Sequence, residues 1–265
     1  MAGKGFRTSP VGGIAAPPYT NGPYTFSEDI TFNGNLRKSP GMYYLEEYFL
    51  QRPGLNAELS STATDMPLNR NFELSGTSAV TSNVSFSGTE AGIVLATAGA
   101  DGDSMAIIPH LDSLQTSWAG IKWGTENQVI WECAIRTGAS IATLTIWAGL
   151  KLTQTPVVVT DADAAYFRYS TIGADTNWQA ITSIANTDVS TDTGVAVAAS
   201  TTVKFRIEID SDRKATFYID DVQVYKSTAL TNDIDFIPYI ALQSGDGTAD
   251  GMTVCYEKIS RILFE

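Results

Sequence analysis

A strict alternation of apolar and polar side chains in one short stretch constrains the fold of this chain more than any other feature. The stretch is TTVKFRIEIDSDRKATFYIDDVQVYKS, residues 201–227. Its apolar members are Val203, Phe205, Ile207 and Ile209, and the polar residues between and after them are Lys204, Arg206, Glu208 and Asp210. A period of two is typical of a strand with one buried face. With turns at 211–214 and at Asp220–Asp221, the stretch predicts a three-stranded meander.

The same stretch is rich in carboxylates, which raises the question of an active or metal site. The acids are Glu208, Asp210, Asp212, Asp220 and Asp221. In the predicted meander, two of them face water from a strand and the others lie in turns. Charges of both signs on the wet face suit cross-strand pairing. The sequence therefore accounts for much of this acidic run by structure alone.

Further strand patterns follow one another along the chain. Val129, Trp131, Cys133 and Ile135 alternate with other residues, and so do Leu144, Ile146, Ala148, Leu150 and Leu152. Short apolar runs between Gly, Asn, Asp, Ser and Thr clusters begin near residue 70, whereas residues 42–51 suit either a short helix or a strand. Evenly spaced short strands predict an all-β fold, a two-sheet antiparallel β-sandwich or jelly roll.

The N-terminal segment has a different composition from the rest. Residues 1–45 hold five of the ten prolines, which disfavour a helix. The segment can also bury little apolar surface against itself. Its spaced aromatic residues, among them Tyr19, Tyr24 and Phe26, favour an extended arm that becomes ordered on a neighbouring subunit; the alternative is a disordered tail. We therefore predict two regions, an extended arm over 1–45 and a sandwich domain over 46–265.

Charge and cysteine content narrow the function classes. The net charge is −12, and because residues 1–45 carry four bases against two acids, a net of +2, residues 46–265 carry −14. An acidic body repels phosphate backbones, so nucleic acid is not an expected partner. No apolar run approaches the ~20 residues of a membrane span, and the N-terminus resembles no secretory signal. Cys133 and Cys255 are expected to be buried thiols.

The strand series resembles a known fold family. The run FRIEID, a turn and then FYIDDVQVY is similar to the late strands of the concanavalin A-like lectin/glucanase jelly roll. The upstream pieces WGTENQVIWECAIRTG, IWAGLKLT and DADAAYFRYS, with FIPYIALQ near the end, look like a branch of that fold found in structural proteins of tailed-phage virions. The resemblance covers about residues 70–265 and implies the fold more strongly than the function.

An enzymatic function is not expected. The glucanase motif of this fold spaces its carboxylates as E-x-D-x-x-E, and retaining glycosidases need two carboxylates ~5–5.5 Å apart. Glu208 and Asp210 match the first half, but Arg213 stands where the acid/base should be. Glu132 has no partner carboxylate at suitable spacing, and the lone His110 excludes multi-histidine zinc ligation within one chain.

The sequence is compatible with two kinds of binding site, one for a metal ion and one for a glycan. Acidic turns could hold Ca²⁺, and the loop 245–250, with Asp246 and Asp250, is the best metal candidate, although Asp and Gly are also ordinary turn residues. The turns around Asp101–Asp103 and Asp161–Asp163 are further candidates. A lectin-type glycan site would combine Asp175, Asn177 and Trp178, with a buried core Trp as the alternative reading.

These observations predict a virion structural protein, a capsid decoration or cement protein on the capsid surface of a phage. The arm would dock on the major capsid protein, using Arg7, Tyr19, Tyr24, Phe26, Arg37 and Lys38. Because decoration proteins often lie at local threefold axes, the resemblance also implies a homo-oligomer, with a trimer as the expected form. The protein would be made in the host cytoplasm. The alternative is a glycan-binding module of a tail or fibre protein that recognises a host-surface polysaccharide.

Overall fold

The computed structural model describes residues 41–55, 69–88, 90–109, 122–153 and 161–263. These residues form seventeen strands and one short 3-10 helix, Thr81–Asn83. The strands are β1 Met42–Glu47, β2 Pro53–Leu55, β3 Asn69–Ser75, β4 Val84–Phe86, β5 Ile93–Ala96, β6 Ser104–Pro109, β7 Trp123–Gly124, β8 Ile130–Thr137, β9 Leu144–Lys151, β10 Ala164–Ser170, β11 Asn177–Ile184, β12 Thr187–Ala196, β13 Thr202–Ile209, β14 Lys214–Ile219, β15 Val222–Ala229, β16 Asp235–Ser244 and β17 Gly251–Ile262.

The strands form two sheets. Sheet A has the order β15-β14-β13-β8-β17-β5-β4, with β1 also paired to β17. Sheet B has the order β12-β11-β10-β9-β16-β6-β3-β2, with β7 also paired to β16. The pairs are antiparallel except β2 with β3. The predicted all-β two-sheet sandwich is therefore confirmed.

The meander predicted over 201–227 is present as β13, β14 and β15 at one side of sheet A. Phe205 lies opposite Ile219 in β14, and Phe217 lies opposite Tyr225 in β15. The turn between β14 and β15 is Asp220–Asp221, both with positive φ, 49° and 65°. Short acidic side chains tolerate this left-handed conformation, which is the one that two-residue hairpin turns require.

Aromatic rings join the two sheets in the core. Phe205 of sheet A lies 4.5 Å from Phe167 and 4.7 Å from Trp178 of sheet B, measured between ring centroids. Phe217 meets Phe167 edge-on at 5.2 Å. All four side chains are fully buried. Such ring pairs contribute beyond the area that they bury, so this cluster locks β13 and β14 onto β10 and β11.

The outer face of sheet B is also buried, which alternation alone did not reveal. A second apolar cluster lies there, separate from the core between the sheets. Its members are Ala106, Ile108, Trp147, Ala164, Tyr166, Ile181, Ile237, Tyr239 and Ala241. Strands buried on both faces lose the simple alternation of one wet and one dry side.

Several smaller expectations can be compared with the structure. Residues 42–47 form strand β1, so the ambiguous segment 42–51 begins as a strand, and β1 starts within the segment that the sequence assigned to the arm. Residues 1–40 lie outside the described residues. Cys133 is buried and Cys255 is half-buried, and both are free. No helix in the described part of the chain has the length and hydropathy of a membrane-crossing helix.

Gly149 in β9 offers a sharp test of the packing of sheet B. Its φ is +153°, and a Cβ there would lie 2.5 Å from Tyr166 Cα and 2.7 Å from the Ala165 carbonyl oxygen. We expect Gly149→Ala to lower the free energy of unfolding by about 3 kcal/mol or more, because backbone atoms must move. Gly247→Ala is the control, since a Cβ at Gly247 meets nothing within 4 Å. Equal urea midpoints for the two variants would contradict this account.

Candidate functional site

The carboxylates of β13 line a groove on the outer face of sheet A. The groove has a volume of about 460 Å³, within the usual range of ligand sites. It crosses six strands, from β1 to β15. Its lining residues are Met42, Gln128, Ile130, Glu208, Ile209, Asp210, Thr216, Tyr218, Gln223, Lys226 and Ile262. Alternation on β13 turns Glu208 outward while its neighbours Ile207 and Ile209 enter the core.

Glu208 is held by two neighbours on the same face. The Arg206 guanidinium lies 3.1 Å from one carboxylate oxygen, and the Tyr218 hydroxyl donates to the other at 3.3 Å. Arg206 also stacks over the Tyr218 ring at 4.2 Å. About a third of the Glu208 side chain is exposed, so this pair contributes modestly to stability. Its geometry nonetheless fixes the carboxylate at the groove wall.

Asp210 organises the turn that closes the groove at one end. One carboxylate oxygen accepts the backbone N–H groups of Asp212 and Lys214 at 3.0 and 2.9 Å, and the other accepts Lys226 Nζ at 2.9 Å. Burial by itself would raise the pKa of Asp210, but these hydrogen bonds and the Lys226 charge favour the ionised form and lower its pKa overall. Asp210 is therefore a stable anion at neutral pH.

Arg213, at the third position of the glucanase-like spacing, has a structural partner in a turn. Arg213 adopts a left-handed φ of 60° in the turn, and its Nε donates to the Leu230 carbonyl at 3.2 Å. Glu132, the other acid weighed from the sequence, accepts the Tyr256 hydroxyl at 2.7 Å and lies 3.9 Å from Lys258 Nζ. Arg213 thus holds its turn against the residue that follows β15, and Glu132 links β8 to β17.

The predicted glycan residues lie together but point in different directions. Asp175 forms a two-pronged ion pair with Arg168, at 2.9 and 3.1 Å, and accepts the Ser170 N–H. The Asn177 amide donates to Asp192. The Trp178 ring is fully buried in the core, on the opposite face of β11 from Gln179. The structure thus places the acid and the amide in strand contacts and the indole between the sheets.

The predicted metal residues serve as turn acceptors. Asp246 accepts the Thr143 hydroxyl at 2.6 Å and the Thr248 N–H at 2.7 Å, and the Thr143 hydrogen bond, as the main cause, lowers the pKa of Asp246. Burial raises the pKa of Asp250. Among the described residues, no group of three or more His, Cys, Asp or Glu side chains could hold a metal ion.

The remaining acidic turns have comparable roles. Asp103 accepts the Ala100 N–H at 2.8 Å, and Asp161 accepts the Thr153 hydroxyl at 2.8 Å. Asp163 accepts the Ala185 N–H at 3.1 Å. The partner-binding candidates Arg7, Tyr19, Tyr24, Phe26, Arg37 and Lys38, as well as His110, lie outside the described residues.

Sequence reasoning missed a charged cluster on the outer face of sheet B. Lys151 Nζ lies 4.8, 5.8 and 6.0 Å from the ring centroids of Tyr239, Tyr166 and Trp147, and 3.8 Å from Asp161. The Lys151 side chain is almost fully buried, and burial lowers its pKa. The signal available from the sequence was the placement of Trp147, Gly149 and Lys151 in β9, between the apolar residues Ile146, Ala148, Leu150 and Leu152.

Comparison with known proteins supports the fold. A family model described as SO2946-like, C-terminal domain, matches residues 113–238. No curated protein matches the chain. Among solved structures, a protein of unknown function, SO2946 from Shewanella oneidensis MR-1, is similar with a TM-score of 0.54 and 12% identity, covering 86% of this chain and 90% of that one.

Glucanases share the same architecture. The Bacillus licheniformis β-glucanase gives a TM-score of 0.51 at 11% identity and covers 84% of this chain and 99% of its own. A β-1,3-glucanase from Mycobacterium marinum gives 0.54 at 12% identity, covering 84% and 100%. The TM-scores establish the concanavalin A-like jelly-roll fold. At identities this low, the similarity carries no information on function.

Removing the Asp210 side chain tests its role in the turn. We expect Asp210→Ala to lower the free energy of unfolding by about 1–2 kcal/mol, because two backbone N–H groups and Lys226 lose an acceptor. Asp210→Asn keeps an acceptor oxygen and should cost less. Asp212→Ala is the control, since the Asp212 side chain is 74% exposed. A Tm loss for Asp212→Ala as large as that for Asp210→Ala would count against this role.

Proposed function

We propose that this protein is a non-enzymatic structural protein of a virion, a capsid decoration protein that docks on the major capsid protein through residues 1–45. The proposal rests on the resemblance of the strand series and on the chemistry of the β13 carboxylates. In this proposal the sandwich is a rigid body that faces outward, and the basic N-terminal segment attaches the protein to the capsid.

The hydrogen-bond partners of Asp210 and Glu208 are the observation that supports a structural role for these two acids rather than a catalytic one. A retaining glycosidase needs one carboxyl group that keeps its proton near neutral pH, usually through a raised pKa. Asp210 is unsuited to that acid role, because two backbone N–H groups and Lys226 stabilise its anion and lower its pKa. Glu208 is shared between Arg206 and Tyr218. Glu208 therefore links β13 to β14 through Tyr218, and Asp210 holds the turn after β13 and contacts Lys226 of β15.

The distribution of charge is consistent with attachment through the N-terminal segment. Residues 1–45 carry a net charge of +2 and residues 46–265 carry −14. Strongly acidic bodies repel one another, which favours a dense array of separate copies over aggregation. A short basic segment next to such a body can be attracted by an acidic coat surface. Several copies on one local symmetry axis, as in a homotrimer, would increase avidity.

Charge reversal in the full chain tests this attachment. We expect Arg37→Glu combined with Lys38→Glu to reduce co-sedimentation with empty capsids of the same virus by at least tenfold, with unchanged circular dichroism. The wild-type protein should also raise the temperature at which those capsids disrupt. Lys122→Glu with Lys214→Glu is the matched control, because both side chains are exposed on the body. Equal sedimentation of the two double variants, or none for wild type, would refute the proposal.

A glycan-binding role is the second candidate, favoured by the groove on sheet A. Tyr218 lies among the amides of Gln128 and Gln223 and the hydroxyl of Thr216, and such side chains hydrogen-bond sugar hydroxyls. The fold is shared with proteins described as glucanases. In this reading, the protein would be a module of a tail or fibre protein that holds a host-surface polysaccharide.

A glycan array distinguishes the groove from the site predicted on β11. If the groove binds, Gln128→Ala with Gln223→Ala should weaken the strongest array signal by at least tenfold, whereas Asn177→Ala should leave it unchanged. The opposite pattern would move the site to Asp175 and Asn177. An array without any signal above background would exclude the glycans displayed and count against this second candidate.

A further inference from the structure

Glu257 is a carboxyl group buried in the core, and no described residue places a cation beside it. It lies on the inward face of β17 and is fully buried. Its direct neighbours across the strands are Glu47 of β1 and Cys133 of β8. Trp131 Nε1 donates to one of its oxygens at 2.7 Å, and the other oxygen has no hydrogen-bond partner. A buried polar atom left without a partner is costly and calls for an explanation.

The charged form of this side chain is strongly disfavoured. Burial raises the pKa of Glu257 to about 8, and the Trp131 hydrogen bond opposes that rise only in part. In the folded chain at neutral pH the group is therefore mostly a neutral acid. An isolated carboxylate in such surroundings would be relieved only by contact with water.

The other titratable groups near Glu257 do not supply a counter-charge. On the inward faces of β1, β8 and β17 these groups are Tyr43, Glu47, Cys133 and Arg261. Glu47 accepts the Phe49 N–H. Arg261 donates to the backbone carbonyls of Lys122 and Ile262. Cys133 is fully buried, and burial raises the pKa of its thiol.

Strand β1 covers one side of Glu257, because Glu47 lies directly opposite it. Among the described strands it pairs only with β17, over Met42–Glu47, so it is an edge strand. On its outer face, Glu46 is held by Lys258 at 3.3 Å and by the hydroxyls of Tyr44 and Tyr48. Detaching β1 would remove Glu47, the direct neighbour of Glu257 on that side, and involves neither the pairing of β17 with β8 nor that of β8 with β13.

We propose that Glu257 is a pH-sensitive latch: its ionisation releases β1 from β17 while the rest of the sandwich stays folded. Strand β1 directly follows residues 1–41 in the chain, so the latch controls whether Met42–Glu47 is held in sheet A or continues that preceding segment.

The direction of the pH dependence follows from proton linkage. The closed state holds the proton more tightly than the open state, in which Glu257 has the ordinary pKa of 4.5 against about 8 when closed. The latch is therefore strongest below pH 4.5, and it loosens as the pH rises toward 8. The opening equilibrium should increase about tenfold per pH unit across that window and level off above it.

Hydrogen exchange of the full chain between pH 5 and 9 tests the latch. After correction for intrinsic exchange rates, protection of the β1 amides should fall by about tenfold per pH unit and level off near pH 8. Protection of the β9 and β16 amides should stay constant. In Glu257→Gln, which keeps an acceptor for Trp131, β1 protection should be independent of pH, and Glu257→Met serves if the amide variant folds poorly.

Three outcomes would overturn the latch. One is wild-type β1 protection that does not change with pH. Another is an equal loss of protection in β1, β9 and β16, which would mean global unfolding. The third is a pH profile that survives in both Glu257 variants. Asp221→Asn is the control for a carboxylate outside the core, since 60% of the Asp221 side chain is exposed, and it should keep the wild-type profile.

Discussion

The contact of Phe205 with Phe167 and Trp178 holds the two sheets together, and much of the surface chemistry depends on it. These rings are fully buried and lie 4.5–4.7 Å apart. They fix which face of β13 enters the core, and a shift of one residue would turn every side chain to the other side. Glu208 therefore stands on the groove wall because Phe205 and Ile207 are committed to the interior.

The sequence alone predicted the part of the fold in which each strand has one buried face and one solvent-exposed face. Over β13 and β14 the alternation of apolar and charged residues predicted the strands, their inward faces and the turns between them. Cross-strand ion pairs such as Lys204 with Asp221, at 2.6 Å, explain why the wet face carries both signs. The reading of most of these acids as structural residues agrees with the partners found for Glu208 and Asp210.

The same reasoning was weaker where both faces of a strand are buried. In β9 the residues Trp147, Gly149 and Lys151 look like a solvent face, yet Trp147 and Lys151 are buried beside Tyr166 and Tyr239. Whether a second layer covers a sheet depends on contacts between distant segments, which a local pattern does not contain. The burial of Trp178, which the sequence offers as the alternative to a sugar platform, could be predicted because apolar residues follow it in the sequence.

Asp210 and Glu257 show how the same functional group acquires opposite properties in one sandwich. At Asp210, backbone N–H groups and a lysine stabilise the anion and lower the pKa. At Glu257, burial stabilises the neutral acid and raises the pKa to about 8. A glycosidase would need these two environments side by side, facing one substrate. Here Glu257, the neutral acid, lies between the sheets, whereas Asp210, the anion, lies in the turn after β13. Glu257 can therefore respond to pH and Asp210 can hold a turn, but the two carboxyl groups do not form a pair.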